Sequence, residues 1–151
     1  MRRPIVMTVI LALLSASALA AAQPGILGQI AGRYERSFKS GDVSGDSYSV
    51  TDIVEIVPQG ADRARVSMEL NFFNGHSCEI EGVARVEGRR LVLRAPELDM
   101  TDGTQCRLVI WKQGNMLRWS DGQRSCANAC GARGVLDNRG APMPIGLRRP
   151  L

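Results

Sequence analysis

The sequence predicts an all-β protein, a small antiparallel β-barrel of about seven or eight strands that are connected mostly as a meander. The first observation is strict alternation: Ala64, Val66, Met68, Leu70 and Phe72 are apolar, and the residues between them are polar. This period of two is typical of a strand with one buried and one solvated face. The second is the spacing of turn residues, roughly 10–15 residues apart, as in sandwiches and barrels. The third is that no segment shows a clear helical period. Consecutive hairpins favour a meander, and closure into a barrel removes exposed sheet edges.

Each element is predicted from its own residues: strands from alternation or β-branched side chains, and loops from glycine, proline, asparagine and aspartate. A short helical turn is expected within residues 23–30, ahead of the first strand. The predicted strands cover residues 32–39, 48–57, 64–72, 78–86, 91–95, 105–112 and 116–120, with a short last strand at 135–137. Bulky residues at inward positions are expected to fill the barrel; they include Val66, Met68, Leu70, Phe72, Ile80 and Leu91.

The first 22 residues are predicted to be a signal peptide. Arg2 and Arg3 form a basic start, residues 5–14 are apolar, and residues 15–22 are small, with cleavage expected after Ala20 or Ala22. The mature chain then consists of a single β-barrel domain over residues 23–139 and a flexible, proline-rich tail over residues 140–151. The expected location is the periplasm or the extracellular medium, with no membrane association after cleavage.

The charge of the chain does not favour nucleic-acid binding. The formal charge of the whole chain is +4. Since Arg2 and Arg3 leave with the signal peptide, the mature chain carries only about +2. We therefore expect no nucleic-acid partner.

The four cysteines, Cys78, Cys106, Cys126 and Cys130, are predicted to form two disulfides. An exported chain meets an oxidising compartment, and a meander places all four residues at one end of the barrel. The favoured pairing is Cys78–Cys106 with Cys126–Cys130; the next choice is Cys106–Cys126 with Cys78–Cys130. No C-x2-C pair is present, so neither a zinc site nor a thioredoxin-type redox site is expected, and no cofactor is predicted.

His76 is the only histidine of the chain, and it lies between a turn glycine and a serine. Catalysis would need a nucleophile and an orienting carboxylate beside it, and the sequence places neither there. A second candidate catalytic site is the acidic loop with Glu97, Asp99 and Asp102. This loop lacks an apolar enclosure that would separate the pKa values of its carboxylates. We therefore predict no catalytic residues and a protein that is not an enzyme.

The predicted binding residues are His76, Arg124 and Arg133. The two arginines bracket the cysteine-rich closing loop, and arginine is common at the centre of protein interfaces. Trp111 and Trp119 flank the turn at residues 112–115, and we expect them to pack across that hairpin or to form an exposed aromatic patch.

Three motifs together resemble a known group of proteins: Asn74-Gly75-His76-Ser77-Cys78, Cys106-Arg107-Leu108 and Cys126-x3-Cys130-Gly131. The pattern resembles that of small exported β-barrel proteins of Gram-negative bacteria and, more distantly, that of periplasmic lysozyme-inhibitor modules. It covers about residues 32–136. The resemblance implies a disulfide-bonded barrel whose loops block the cleft of a periplasmic or host hydrolase.

We therefore expect a non-enzymatic periplasmic binding module, and inhibition of a lysozyme-like cell-wall hydrolase is the most specific form of this hypothesis. One alternative is a small-ligand carrier that uses the barrel interior. Another is a structural protein of the cell envelope.

Overall fold

The computed structural model describes residues 25–131, 133–137 and 142–151. The predicted signal peptide lies outside the described residues. The prediction of a small antiparallel β-barrel with two disulfides is confirmed, with nine strands in place of seven or eight.

The chain forms one short α-helix and nine strands within its described part. They are α1 (Ile26–Ile30), β1 (Gly32–Gly41), β2 (Ser47–Pro58), β3 (Arg63–Asn71), β4 (Ser77–Glu87), β5 (Arg90–Arg94), β6 (Arg107–Gln113), β7 (Met116–Ser120), β8 (Met143–Pro144) and β9 (Arg148–Arg149). Each of the first seven strands pairs antiparallel with the next, so the predicted meander is correct. Residues 135–137, expected as a last short strand, form none.

The two shortest strands almost close the barrel. β8 pairs with β7, with Met143 opposite Leu117, and β9 pairs with β1, with Arg148 opposite Tyr34. A single 3-10 turn, Ile145–Leu147, connects β8 to β9. One short segment therefore joins the two edges of the sheet.

Residues 143–149 belong to the segment that was expected to be a proline-rich tail, and they form these two strands and the turn between them. Prolines suggested a tail because proline cannot donate a hydrogen bond in a sheet interior. Pro144 instead occupies an edge strand, where that donor is not needed, and the next residue, Ile145, donates its backbone N–H to the Asn115 carbonyl at 2.8 Å. Met143 is fully buried, so packing against the core also holds the segment.

The barrel interior is filled by apolar side chains. The largest fully buried ones are Trp119, Tyr34, Ile30, Ile56, Leu91, Leu93, Leu108, Ile110, Leu117, Leu136, Met143 and Val54. Of the predicted inward residues, Phe72 is only half-buried, and the other five are buried. Helix α1 packs against β5 and β6 and adds Ile26, Leu27 and Ile30 to the core.

Tyr34 anchors this helix to the barrel. Its phenol donates a hydrogen bond of 2.8 Å to the carbonyl of Ile30. Burial raises the pKa of Tyr34 to about 12, because a phenolate would have to exist without water.

The meander divides the loops between two ends of the barrel. The hairpin end carries the loops that follow β2, β4 and β6, together with α1. The cysteine end carries the loops that follow β1, β3, β5 and β7. All four cysteines lie at the cysteine end, as the meander predicts.

Candidate functional site

Two disulfides link the loops of the cysteine end. Cys78, the second residue of β4, is bonded to Cys130, and this bond is called the β4 disulfide. Cys106, directly before β6, is bonded to Cys126 and forms the β6 disulfide. The favoured pairing from the sequence is therefore wrong, and the second choice is confirmed.

Strand spacing explains this correction. Cys78 lies in β4 and Cys106 lies directly before β6, and β5 separates these two strands. Two strand spacings amount to about 9–10 Å, and a disulfide needs Cα atoms within about 7 Å. Cys126 and Cys130 flank a 3-10 turn, Ala127–Ala129, and each of them faces a different strand. The Cα–Cα distances are 4.0 Å in the β4 disulfide and 4.4 Å in the β6 disulfide.

The segment that follows β7, residues 121–137, is called the closing loop here, and it is also held by close backbone contacts. Cys130 forms an isolated β-bridge with Cys78, and the N–H of Gly131 donates to the Ser77 carbonyl at 2.8 Å. Gly134 lies against the β4 disulfide so closely that a Cβ atom there would stand 2.7 Å from Sγ of Cys78. The closing loop is therefore fixed to the start of β4.

The acidic loop between β5 and β6 is fixed to the closing loop as well. The side-chain amide of Asn128 donates to the carbonyl of Asp99 at 3.0 Å. Asp99 accepts the N–H of Cys106 at 2.8 Å, and Asp102 accepts the N–H of Thr104 at 2.9 Å. The bond from Thr104 is the main cause that lowers the pKa of Asp102. These two carboxylates therefore shape the loop.

The backbone of the closing loop contains a left-handed turn. Gly122, Gln123 and Arg124 have φ values of 54°, 61° and 66°. Residues other than glycine rarely adopt this backbone conformation, because it costs them on the order of 1 kcal/mol each. The turn is stabilised around Asp121, which accepts the N–H of Ser125 on its carbonyl at 3.2 Å.

Of the predicted binding residues, Arg124 and Arg133 are exposed and His76 is half-buried. His76 lies beside Gly131, whose Cβ position would be 3.6 Å from Nδ1 of the histidine. Within the described residues, no hydrogen bond or ion pair joins any two of these three side chains, and neither arginine has an ion-pair partner. The structure brings together the loops that carry these three residues, and both arginines are exposed.

The same ranges contain no group of three or more His, Cys, Asp and Glu residues placed to hold a metal ion. They also contain no helix that is long and apolar enough to cross a membrane.

The two tryptophans lie on opposite faces of the sheet. Trp119 is buried in the core, whereas Trp111 is half-buried on the outer face. The register places Trp111 opposite Arg118 and Trp119 opposite Ile110, so the expected packing of the two rings across the hairpin is wrong. The sequence indicates where the turn between β6 and β7 lies, but it does not indicate which residues of the two strands stand opposite each other.

The features that bear on function are those of the cysteine end and of the surfaces next to it. The proposed likeness to lysozyme-inhibitor modules remains a prediction. Comparison of the chain with protein-family models, with curated proteins and with solved structures found no match.

Proposed function

We propose that this protein is a non-enzymatic binding module, exported through a cleaved signal peptide, that engages a protein partner through its cysteine end. The observation that carries the proposal is the pair of disulfides that hold the closing loop against β4 and β6. Loops that are fixed before binding lose little entropy in the complex. Disulfides are also typical of an oxidising compartment such as the periplasm.

The chemistry of this end favours an acidic partner surface. Arg124 and Arg133 are exposed, and each lacks a carboxylate partner among the described residues. Arg124 lies on the left-handed turn, and strained backbone of this kind persists where surrounding contacts hold it, often at functional sites. A guanidinium group recognises carboxylates with two parallel hydrogen bonds.

A lysozyme-like cell-wall hydrolase fits this requirement. Glycoside hydrolases hold two carboxylates in their substrate cleft. A rigid loop that presents guanidinium groups is complementary in charge to such a cleft and can block it. The filled barrel interior, in contrast, gives less support to a small-ligand carrier.

The experiment measures inhibition and affinity together. Mature protein is added to a panel of lysozyme-like hydrolases acting on peptidoglycan, and each inhibited enzyme is then titrated by calorimetry. We expect Arg124→Ala and Arg133→Ala to weaken binding by roughly ten-fold or more, because each removes a charged hydrogen bond. Lys112→Ala, at the hairpin end, is the matched control and should bind as the wild type does.

Two results would contradict the proposal. One is a loss of binding confined to Lys112→Ala, which would place the site at the hairpin end. The other is turnover of a cell-wall substrate by the protein itself that His76→Ala abolishes without changing the thermal melt. The second result would identify an enzyme.

A further inference from the structure

The outer face of β5 to β7, together with the last residues of β4, is basic. Its outward side chains include Arg85, Arg90, Arg94, Arg107 and Arg118, with Glu87 as the acidic residue among them. Glu79 and Glu81 lie at the other end of β4, and Glu81 pairs with Arg65 of β3. Glu87 pairs with Arg94 at 2.8 Å and approaches Arg107 at 3.6 Å. None of the carboxylates in the described ranges pairs with Arg85, Arg90 or Arg118. This face therefore has an excess of positive charge that is not neutralised within the described protein.

A groove with a volume of about 430 Å³ lies on this face, beside the left-handed turn of the closing loop. Its lining includes Arg90, Arg107, Trp111, Ser120, Asp121 and Ser125. The volume falls within the range of small-ligand sites, roughly 300–1,000 Å³. Trp111 is half-buried there, so part of its indole surface remains available for contact.

Asp121 gives the groove a buried acceptor. Its side chain is only 2% exposed. One carboxylate oxygen, Oδ2, accepts the N–H of Cys126 at 3.3 Å. The other, Oδ1, has no hydrogen-bond partner among the described residues. A buried carboxylate oxygen without a donor is costly, so this position favours a ligand that brings a hydroxyl group.

We infer that this groove binds an acidic saccharide. Arg90 and Arg107 are placed to bind the carboxylate of the sugar, and the apolar face of the sugar ring packs on Trp111. A ring hydroxyl donates to the carboxylate of Asp121, since only a donor satisfies its unpartnered oxygen. Because that oxygen is enclosed in the free protein, the Asp121 side chain has to rotate toward the groove when the ligand binds. The groove borders the cysteine end, because Asp121, Gly122 and Ser125 belong to the closing loop, but the proposal requires neither Arg124 nor Arg133.

The residues that line the groove favour an acidic sugar over a free phosphate or a neutral sugar. A free phosphate would pair with the arginines, but it would leave Trp111 uncovered and would be repelled by the carboxylate of Asp121. A neutral sugar would cover Trp111 and satisfy Asp121, but it would leave Arg90 without an anionic partner. The combination of two guanidinium groups, an indole and a carboxylate matches a ligand with both a negative charge and hydroxyl donors.

The test titrates the mature protein with three probes and follows the indole N–H resonance of Trp111 by NMR. The probes are trigalacturonate, the neutral trisaccharide maltotriose, and inorganic phosphate. We expect trigalacturonate to bind and to shift the Trp111 signal. Maltotriose and phosphate should each bind roughly ten-fold more weakly, because each loses one group of contacts.

Variants locate the site. Trp111→Ala and Arg90→Ala should each weaken trigalacturonate binding by roughly ten-fold or more, measured by calorimetry. Arg90→Lys keeps the charge and loses the planar fork, so it should also bind more weakly while folding normally. Arg63→Ala, at an exposed arginine of β3 outside the groove lining, is the matched control and should bind like the wild type.

Three results would overturn the assignment of an acidic-saccharide site. Absence of trigalacturonate binding would refute the site. Phosphate binding as tight as that of trigalacturonate, and unchanged in Trp111→Ala, would show a simple anion site. An equal loss in Arg63→Ala would show attraction by overall charge without a groove.

Discussion

Replacement of Gly134 by alanine tests whether the closing loop is as tightly fixed to β4 as the structure indicates. An added Cβ atom would lie 2.7 Å from Sγ of Cys78, 3.1 Å from Cβ of Cys130 and 3.1 Å from the carbonyl oxygen of Ser77. Ordinary contacts between non-bonded carbon atoms lie at about 3.5–4.0 Å. All three neighbours belong to a disulfide or to backbone, so none can move aside as a flexible side chain would.

We expect Gly134→Ala to lower the free energy of unfolding by about 1–3 kcal/mol, the usual cost of overpacking. The assay is urea unfolding followed by tryptophan fluorescence, since Trp119 is buried in the core. The matched control is Gly146→Ala, because no atom lies within 4 Å of a Cβ at that position. The control should be neutral, or more stable by up to about 1 kcal/mol through reduced freedom of the unfolded chain. Equal stability of Gly134→Ala and Gly146→Ala would refute the close contact between the closing loop and the β4 disulfide.

Two further predictions concern stability. Paired alanine substitutions should cost about 4 kcal/mol for the β4 disulfide and about 3 kcal/mol for the β6 disulfide, because the unfolded chain gains more freedom from the longer loop; the sequence separations are 52 and 20. Thiol titration of either unreduced variant should find no free thiol, and two free thiols would mean that the cysteines pair differently. The second prediction concerns Tyr34, whose pKa burial raises to about 12 in the folded protein, above the ordinary value of 10.0 for a tyrosine. The buried neutral phenol of Tyr34 therefore makes its full contribution to the free energy of unfolding below about pH 10. This contribution is lost as the pH rises toward 12, and the loss is about 2 kcal/mol at pH 11.5. Urea unfolding at about pH 8 and pH 11.5 should show a smaller alkaline loss in Tyr34→Phe than in the wild type, and an equal loss in both proteins would refute this cause.

The fold was predictable from the sequence to the extent that it depends on local patterns. The alternation around Met68 determines which residues of β3 face inward, and the order of hairpins places the cysteines at one end. The disulfide pairing depends instead on the path of the closing loop, which brings Cys130 back to β4. Glycine-rich loops carry no periodic signal, so this path was not predictable.

The groove was not predictable for a related reason. Arg90, Trp111 and Asp121 are far apart in the sequence, and each is unremarkable in its local context. Their proximity depends on the register of β5 with β6 and on a turn in which Arg124 adopts a left-handed conformation. Arginine gives no local signal for that conformation. The sequence did suggest a partner surface at Arg124 and Arg133, but it could not show that neither guanidinium group forms an ion pair within the described part of the chain.

The closing segment of β8 and β9 has a consequence for the order in which the barrel forms during synthesis. Residues 143–149 are synthesised after both strands that they join, so β1 and β7 have free edges until these residues emerge. Free edges are templates for pairing with other chains. During this interval a nascent molecule can exchange strands with its neighbours. The time between the emergence of β7 and that of Met143 therefore sets how long these two edges stay open to such exchange.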